Sequence, residues 1–386
     1  MSSDIVRPSA QAEPVTPAAG QNRAPVAALG PWAWMRLNLF GSWWSTAVTL
    51  GLGALLLLWG VRLAEWAVFN AVWSVPYTPQ GQPVTDACQT ARGTGACWAV
   101  IADKYRLILF GRYPFDEQWR PAVCIALFIG LYTVSAIRRF WRKELLLVWV
   151  ATLAVIGVLM WGGVFGLSYV PQDNWGGLPL TLILATFGLA LSFPLAVLVA
   201  LGRRSTKLPA VKLLCVLYVE LIRGVPLISL LFMASVMFPL FMPDGVNVDK
   251  LLRAQIAFIL FAGAYLAEVV RSGLQTLPKG QYEAADALGL SYWQKTGLIV
   301  LPQALRMVIP PLVNTFIGFF KDTSLVMIIG LYDLLSSGKV ALSEPVWAAF
   351  STEVYIFLAV IYFAFCFAMS KYSRGLERDL ARSQRR

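Results

Sequence analysis

Four polar residues, Lys321-Asp322-Thr323-Ser324, interrupt a run that is apolar from Val308 to Leu331. An ionisable group at bilayer depth is costly unless it is paired or wetted. A cation, an anion and two hydroxyls side by side suit a zwitterion. Lys321 would meet its carboxylate and Asp322 its ammonium, with Thr323 and Ser324 supplying hydroxyls. Polar breaks near the midplane are where transporters commonly bind substrate. The competing reading is a self-neutralising Lys–Asp pair that holds helices together.

Two further charge pairs stand three residues apart, Glu220 with Arg223 and Glu268 with Arg271. That spacing puts each pair on one helix face, where the partners can satisfy one another. Their place near the cytoplasmic ends of spans favours a structural role. Gly224-Val225-Pro226 should kink its span, as a hinge or as a static bend, because proline lacks the N–H that continues a helix. Cys88 and Cys97 flank a Gly-containing stretch and either close a small disulfide loop or stay as two thiols; Cys124, Cys215 and Cys366 lie in apolar spans as packing residues. Several chemistries are excluded. The chain has no His, no C-x-x-C pair and no phosphate-binding P-loop; Ser337-Gly338-Lys339-Val340 lacks the upstream Gly and the final Ser/Thr. A metal site and a built-in ATPase are therefore not expected. No cluster of Ser, His, Cys or acids could support a membrane-embedded enzyme or insertase.

The elements that position these residues are membrane spans. Of 386 residues 58% are hydrophobic and only 14% charged, against about 25% charged in ordinary soluble domains. Apolar runs of spanning length fall near 44–64, 120–137, 144–163, 179–201, 214–241, 252–270, 304–330 and 351–370. The expected fold is an all-α polytopic membrane protein of about eight transmembrane helices, the last five forming a core. Residues 1–43 read as a disordered cytoplasmic tail, 44–170 as three spans with a periplasmic loop at about 70–119, and 171–386 as the core domain. The net charge of +11 is a membrane-topology signal rather than a sign of nucleic-acid binding. With both termini inside, the Arg138–Lys143 turn, Arg203, Arg204, Lys279, Lys295 and the basic C-terminus face the cytoplasm. They outnumber outer cations such as Arg92, Lys104 and Arg112.

That topology puts one polar segment, about 272–303, on the cytoplasmic side. Gln281 to Leu288 is a good helix former, Gly289 permits a tight turn, Ser291 can cap a second helix and Pro302 marks re-entry. Ala284, Ala285 and Ala287 offer a small-residue surface. Glu283-Ala284-Ala285, then Gly289, then Ile299, Leu301 and Pro302 resembles the EAA loop of ABC importer permeases. The strings Glu220-Leu221-Ile222-Arg223-Gly224-Val225-Pro226-Leu227, Ala264 to Arg271 and Lys321-Asp322-Thr323-Ser324-Leu325 resemble the polar amino acid branch of that family. The resemblance covers about 175–375, and the extra N-terminal spans are similar to the larger membrane subunit of general L-amino acid importers. It implies a bacterial inner-membrane permease gripped at Glu283 to Gly289 by a separate ATPase dimer. It further implies a second homologous permease subunit, a periplasmic binding protein and an amino acid substrate. ATP and Mg would sit on the ATPase, with no cofactor on this chain. The alternative, a gradient-driven secondary transporter, would not require a cytoplasmic docking surface.

Overall fold

A computed structural model describes residues 30–243, 245 and 248–384. Apolar length dictates the architecture. Seven helices among the described residues are long and apolar enough to cross a membrane, and a bent helix pair makes an eighth if it is one span. The all-α polytopic expectation holds.

The chain divides into two units. The first comprises the described residues up to Ala71 with Gly93–Ala96, and holds α1 (Pro31–Asn38) and α2 (Trp43–Ala64). Helix α1 corrects the expectation of disorder through residue 43. Pro31 sits in its first turn, where a preset φ favours helix and no N–H is missed; residues 1–29 lie outside the described residues. Ser42 caps α2 by accepting from Ser45 N–H at 3.2 Å. No residue of α2 is buried. A helix apolar all round with no buried face is solvated by lipid.

The second unit contains the rest. The stretch expected as a loop at 70–119 is instead largely folded. It carries α3 (Asp86–Ala91), the Cys88–Cys97 disulfide (Cα–Cα 5.4 Å) and α4 (Ala99–Phe110), which buries Ala99, Val100 and Ile108. Polar ties complete its docking. The Trp347 indole donates to Asp103 at 2.9 Å, Lys104 reaches Glu344 at 2.7 Å, and Cys97 N–H donates to the buried Glu353 carboxylate at 3.0 Å. Burial works against the Lys104 ammonium, but its bonds to Glu344 and Asp103 outweigh that and raise its pKa above the ordinary lysine value. Replacing both Cys88 and Cys97 by Ser should destabilise this segment by about 2–3 kcal/mol, the loop-closure entropy of so short a ring. Hydrogen exchange localised to 72–110 measures it, and unchanged protection would show that the bridge adds nothing.

Helices α5 (Trp119–Ala136) and α6 (Glu144–Trp161) form an antiparallel pair joined through a basic turn. The core follows: α7 (Gly177–Arg203), α8 (Pro209–Gly224), α9 (Leu227–Phe232), α10 (Phe238–Leu240) and α11 (Lys250–Thr276). Small residues let α7 and α11 approach: Gly188 lies against Phe258 and Gln255, and Gly263 against Leu195. The expected span 214–241 is broken, α8 and the Leu227–Leu240 segment meeting at 102°. The cause is Pro226, which holds the preceding Val225 extended (φ −110°, ψ 134°). The chain continues through α12 (Lys279–Ala287), α13 (Tyr292–Gln294), α14 (Leu301–Asp322), the two-residue β1 (Tyr332–Asp333), α15 (Leu334–Ala341) and α16 (Ser351–Gln384). Parallel bridges join β1 to Gly176 and Gly177. Gly177 is obligatory there. Its φ is +65°, and a Cβ would lie 2.1 Å from the Leu109 carbonyl oxygen.

Candidate functional site

The segment 278–303 folds as a helix, a turn and a second helix. Pro278 precedes α12. At its end Gly289 adopts φ +69°, Leu290 N–H donates to Ala285 O at 3.2 Å and Gly289 N–H to Asp286 O at 3.0 Å. These are the two bonds of a Schellman stop, which uses glycine because a left-handed residue must follow the helix. Ser291 then starts α13 with a capping box: its hydroxyl accepts from Gln294 N–H while the Gln294 side chain accepts from Ser291 N–H. An ion pair between Lys295 and Asp286 ties the two helices. A π turn over Lys295–Val300 leads into α14, with Pro302 in its first turn.

The three alanines do not form one surface. Ala285 is fully buried, whereas Ala284 and Ala287 are exposed, because successive helical residues point about 100° apart. Glu283, Gly289 and Pro302 are exposed, and Ile299 and Leu301 half-buried. Beside them stand four exposed apolar side chains that sequence reading passed over: Leu288 (75% exposed), Tyr292, Trp293 and Leu298. Such a knob of large apolar groups on a polar loop marks a contact surface. Arg204 and Gln303 anchor the loop to the core. Arg204, at the end of α7, donates to Leu274 O at 2.6 Å and to the Tyr282 hydroxyl at 2.8 Å; Gln303 donates to Gln281 at 3.1 Å. These bonds link α12 to α7, α11 and α14. Arg204 had registered only as a topology charge, and nothing in its spacing pointed to Tyr282.

The charge pairs are rearranged relative to expectation. Glu268 and Arg271 do pair, with Arg271 Nε at 3.0 Å from the carboxylate. Glu220 and Arg223 do not. Glu220 turns instead to Arg203 of α7 at 2.9 Å, and Arg203 also reaches Glu268 at 2.9 Å. One guanidinium thus clasps α7, α8 and α11, since its fork presents donors to two carboxylates at once. Arg223 lies one residue before Gly224 at the broken span, with its guanidinium 5.3 Å from the Tyr265 ring centre.

Tyr265 leads to the remaining charges. Its ring packs edge-on against Phe319, which also meets Phe261. The two α11 rings are about 16 and 22 Å along the axis from Lys250 at 1.5 Å per residue. Phe320 packs on Tyr362 and Phe365, about 16 and 21 Å from the start of α16. Lys321 and Asp322 therefore lie near half-depth of the bundle. Helix α14 ends at Asp322 and a 3-10 helix runs from Thr323 to Ile329. Lys321 is exposed and Asp322 half-buried, and neither forms an ion pair with a described residue. The local self-neutralising pair is absent. Thr323 and Ser324 donate to the backbone, to Phe320 O and Lys321 O, each at 2.8 Å; Thr323 is fully buried, which takes its hydroxyl away from the expected substrate contact. No group of three or more His, Cys, Asp or Glu fit for a metal occurs among the described residues.

Seven apolar helices of spanning length, a bent pair and an exposed helix–turn–helix loop among the described residues define a multi-pass membrane protein. Comparison agrees: residues 192–382 match the family described as binding-protein-dependent transport system inner membrane component. The inner membrane amino-acid ABC transporter permease protein YhdY of Escherichia coli (strain K12) is 48% identical over 353 residues, 89% of this chain and 92% of that protein. The glutamate/glutamine/aspartate/asparagine transport system permease protein BztC of Rhodobacter capsulatus is 38% identical over 94% of this chain and 96% of its own length. The crystal structure of an amino acid ABC transporter with histidines aligns over 53% of this chain and 92% of its own, at 31% identity and a TM-score of 0.47. The chain belongs to the family of amino-acid ABC transporter permeases.

Proposed function

We propose that this chain is the membrane subunit through which polar or general L-amino acids are imported across a bacterial inner membrane, both termini lying in the cytoplasm. The observation that carries the reading is the loop 278–303, an exposed Schellman turn and apolar knob tied through Arg204 to the core. A separate ATPase dimer grips that loop, holds ATP and Mg, and on closing swings the core helices. It needs only a few kcal/mol of differential affinity between two states of the bundle. A second homologous permease and a periplasmic amino acid-binding protein complete the assembly. The relatives named for amino acids support the cargo, as does the α14 break. The test is co-purification of the tagged, detergent-solubilised chain from its host. Recovery of a P-loop ATPase and a second permease is expected; recovery of the chain alone, with gradient-driven uptake in liposomes, would overturn the reading.

In this scheme Lys321 receives the substrate carboxylate and Asp322 its ammonium, near half-depth and beside the Tyr265–Phe319 ring pair. Asp322→Asn should lower uptake by about ten- to a hundredfold, the worth of one charge-assisted hydrogen bond. It should leave ATPase recovery unchanged. Unaltered affinity and rate in liposomes would remove Asp322 from the pathway.

A further inference from the structure

The α5–α6 pair does more than add spans. Between it and the core helices α7, α14 and α16 lies a cleft of about 780 Å³, as large as pockets that hold sizeable ligands. Its walls include Trp149, Ala190, Phe193, Phe316, Phe365 and Met369, and none of its lining side chains is charged. Most of its few polar groups are already used, and Tyr372 lies at one end. The Tyr132 and Thr186 hydroxyls bond each other at 2.5 Å, and the Trp149 indole donates to the Ser135 hydroxyl at 3.0 Å. A zwitterion would find no charged partner here. Protein interiors do not normally leave voids much larger than a water, and an apolar void at bilayer depth takes up what surrounds it.

One end of the cleft has a different chemistry. Ser135 and Ala136, the last residues of α5, line it together with Tyr372 of α16. The chain then runs directly into Arg138-Arg139-Phe140-Trp141-Arg142-Lys143. The Trp141 indole donates to Ser135 O at 2.8 Å, fixing the turn beside this end. Arg138 pairs with Asp379 at 2.9 Å. Arg139, Arg142 and Lys143 are exposed and form no ion pair with a described residue, and Phe140 and Trp141 are exposed between them. Exposed rings belong to the headgroup level of a bilayer. Basic clusters next to a pocket between transmembrane helices suit anionic lipid headgroups.

We infer that this cleft is a binding site for an anionic phospholipid, with acyl chain between α5–α6 and the core and phosphate on Arg139, Arg142 and Lys143. The lipid would join the added helices to the moving core, in the cytoplasmic leaflet if the proposed topology holds. The test is native mass spectrometry of the full chain in detergent, titrated with phosphatidylglycerol and separately with phosphatidylcholine. Phosphatidylglycerol should bind more tightly. The triple variant Arg139→Gln, Arg142→Gln, Lys143→Gln should weaken it by about a hundredfold and leave phosphatidylcholine unchanged. Ala190→Trp, which fills the cleft, should weaken both lipids. Equal affinity for the two lipids, or phosphatidylglycerol binding untouched in the triple variant, would overturn the inference. So would a photo-crosslinker at position 190 that captures another polypeptide instead of phospholipid. Lipid binding is read without transport, so failure of the importer assignment would show separately, in the co-purification.

Discussion

Gly289→Asp should abolish ATP-driven uptake and recovery of the ATPase while the chain still inserts and folds. The separation of the two effects follows from the turn. A side chain at Gly289 meets nothing within 4 Å, so space is not the obstacle. The left-handed φ of +69° costs a non-glycine residue about 1–2 kcal/mol, and Asp is among the residues that best tolerate that region. The fold should therefore survive. What changes is the face offered to the partner, which gains a carboxylate beside the exposed Leu288, Tyr292 and Trp293. An uncompensated charge enclosed in an interface costs several kcal/mol, enough for more than a hundredfold loss of affinity. Gly289→Ala, with somewhat more backbone strain than Asp and no charge, should keep most of the binding. Equal loss in both variants would mean that turn geometry, rather than surface chemistry, governs docking.

Arg203→Ala should be clearly more destabilising than Arg223→Ala. It removes the cation that joins α7 to Glu220 of α8 and Glu268 of α11. Arg203 is mostly enclosed and Glu268 partly so, whereas Glu220 is 62% exposed. The Glu220 bond is therefore discounted for solvent screening, and Glu268 keeps Arg271. The expected loss is about 2 kcal/mol, mainly from the half-enclosed Glu268 carboxylate. Arg223→Ala, which removes only a contact with the Tyr265 ring, should cost less than about 1 kcal/mol. Thermal unfolding followed by size-exclusion chromatography ranks the two. The reverse order would restore the pairing suggested by three-residue spacing and remove Arg203 from the centre of the network.

The reach of local reasoning is visible in these same residues. The turn at Gly289, the cap at Ser291 and the break before Pro226 are properties of a few neighbouring residues, and each could be read from them. Glu268 with Arg271 was legible for the same reason. Glu220 with Arg223 looked identical by spacing and was not, because a competing cation on another helix was closer to the right geometry. The stretch 70–119 looked like a loop because its buried residues are too few and too scattered to show a period. Its order comes from Trp347, Glu344 and Glu353, more than two hundred residues away. Helix α1 lies wholly inside the stretch expected as a tail, whose earlier part is rich in Ala, Pro, Gln and Ser.

By itself, then, the chain determined that it spans a membrane many times and carries one polar helix–turn–helix segment whose spacing resembles the EAA loop. Both follow from one-dimensional quantities: the length of an apolar run against the thickness of a bilayer, and the backbone demands of single residues. Only the tertiary structure decided which carboxylate Arg203 holds and that Arg204 ties the loop to the core. It also decided that Lys321 and Asp322 lie at half-depth without an ion pair among the described residues, and that the added helices border an uncharged cleft. Those are questions of which helix faces which, and the driving force for packing among apolar helices is too weakly directional to be written in any one of them.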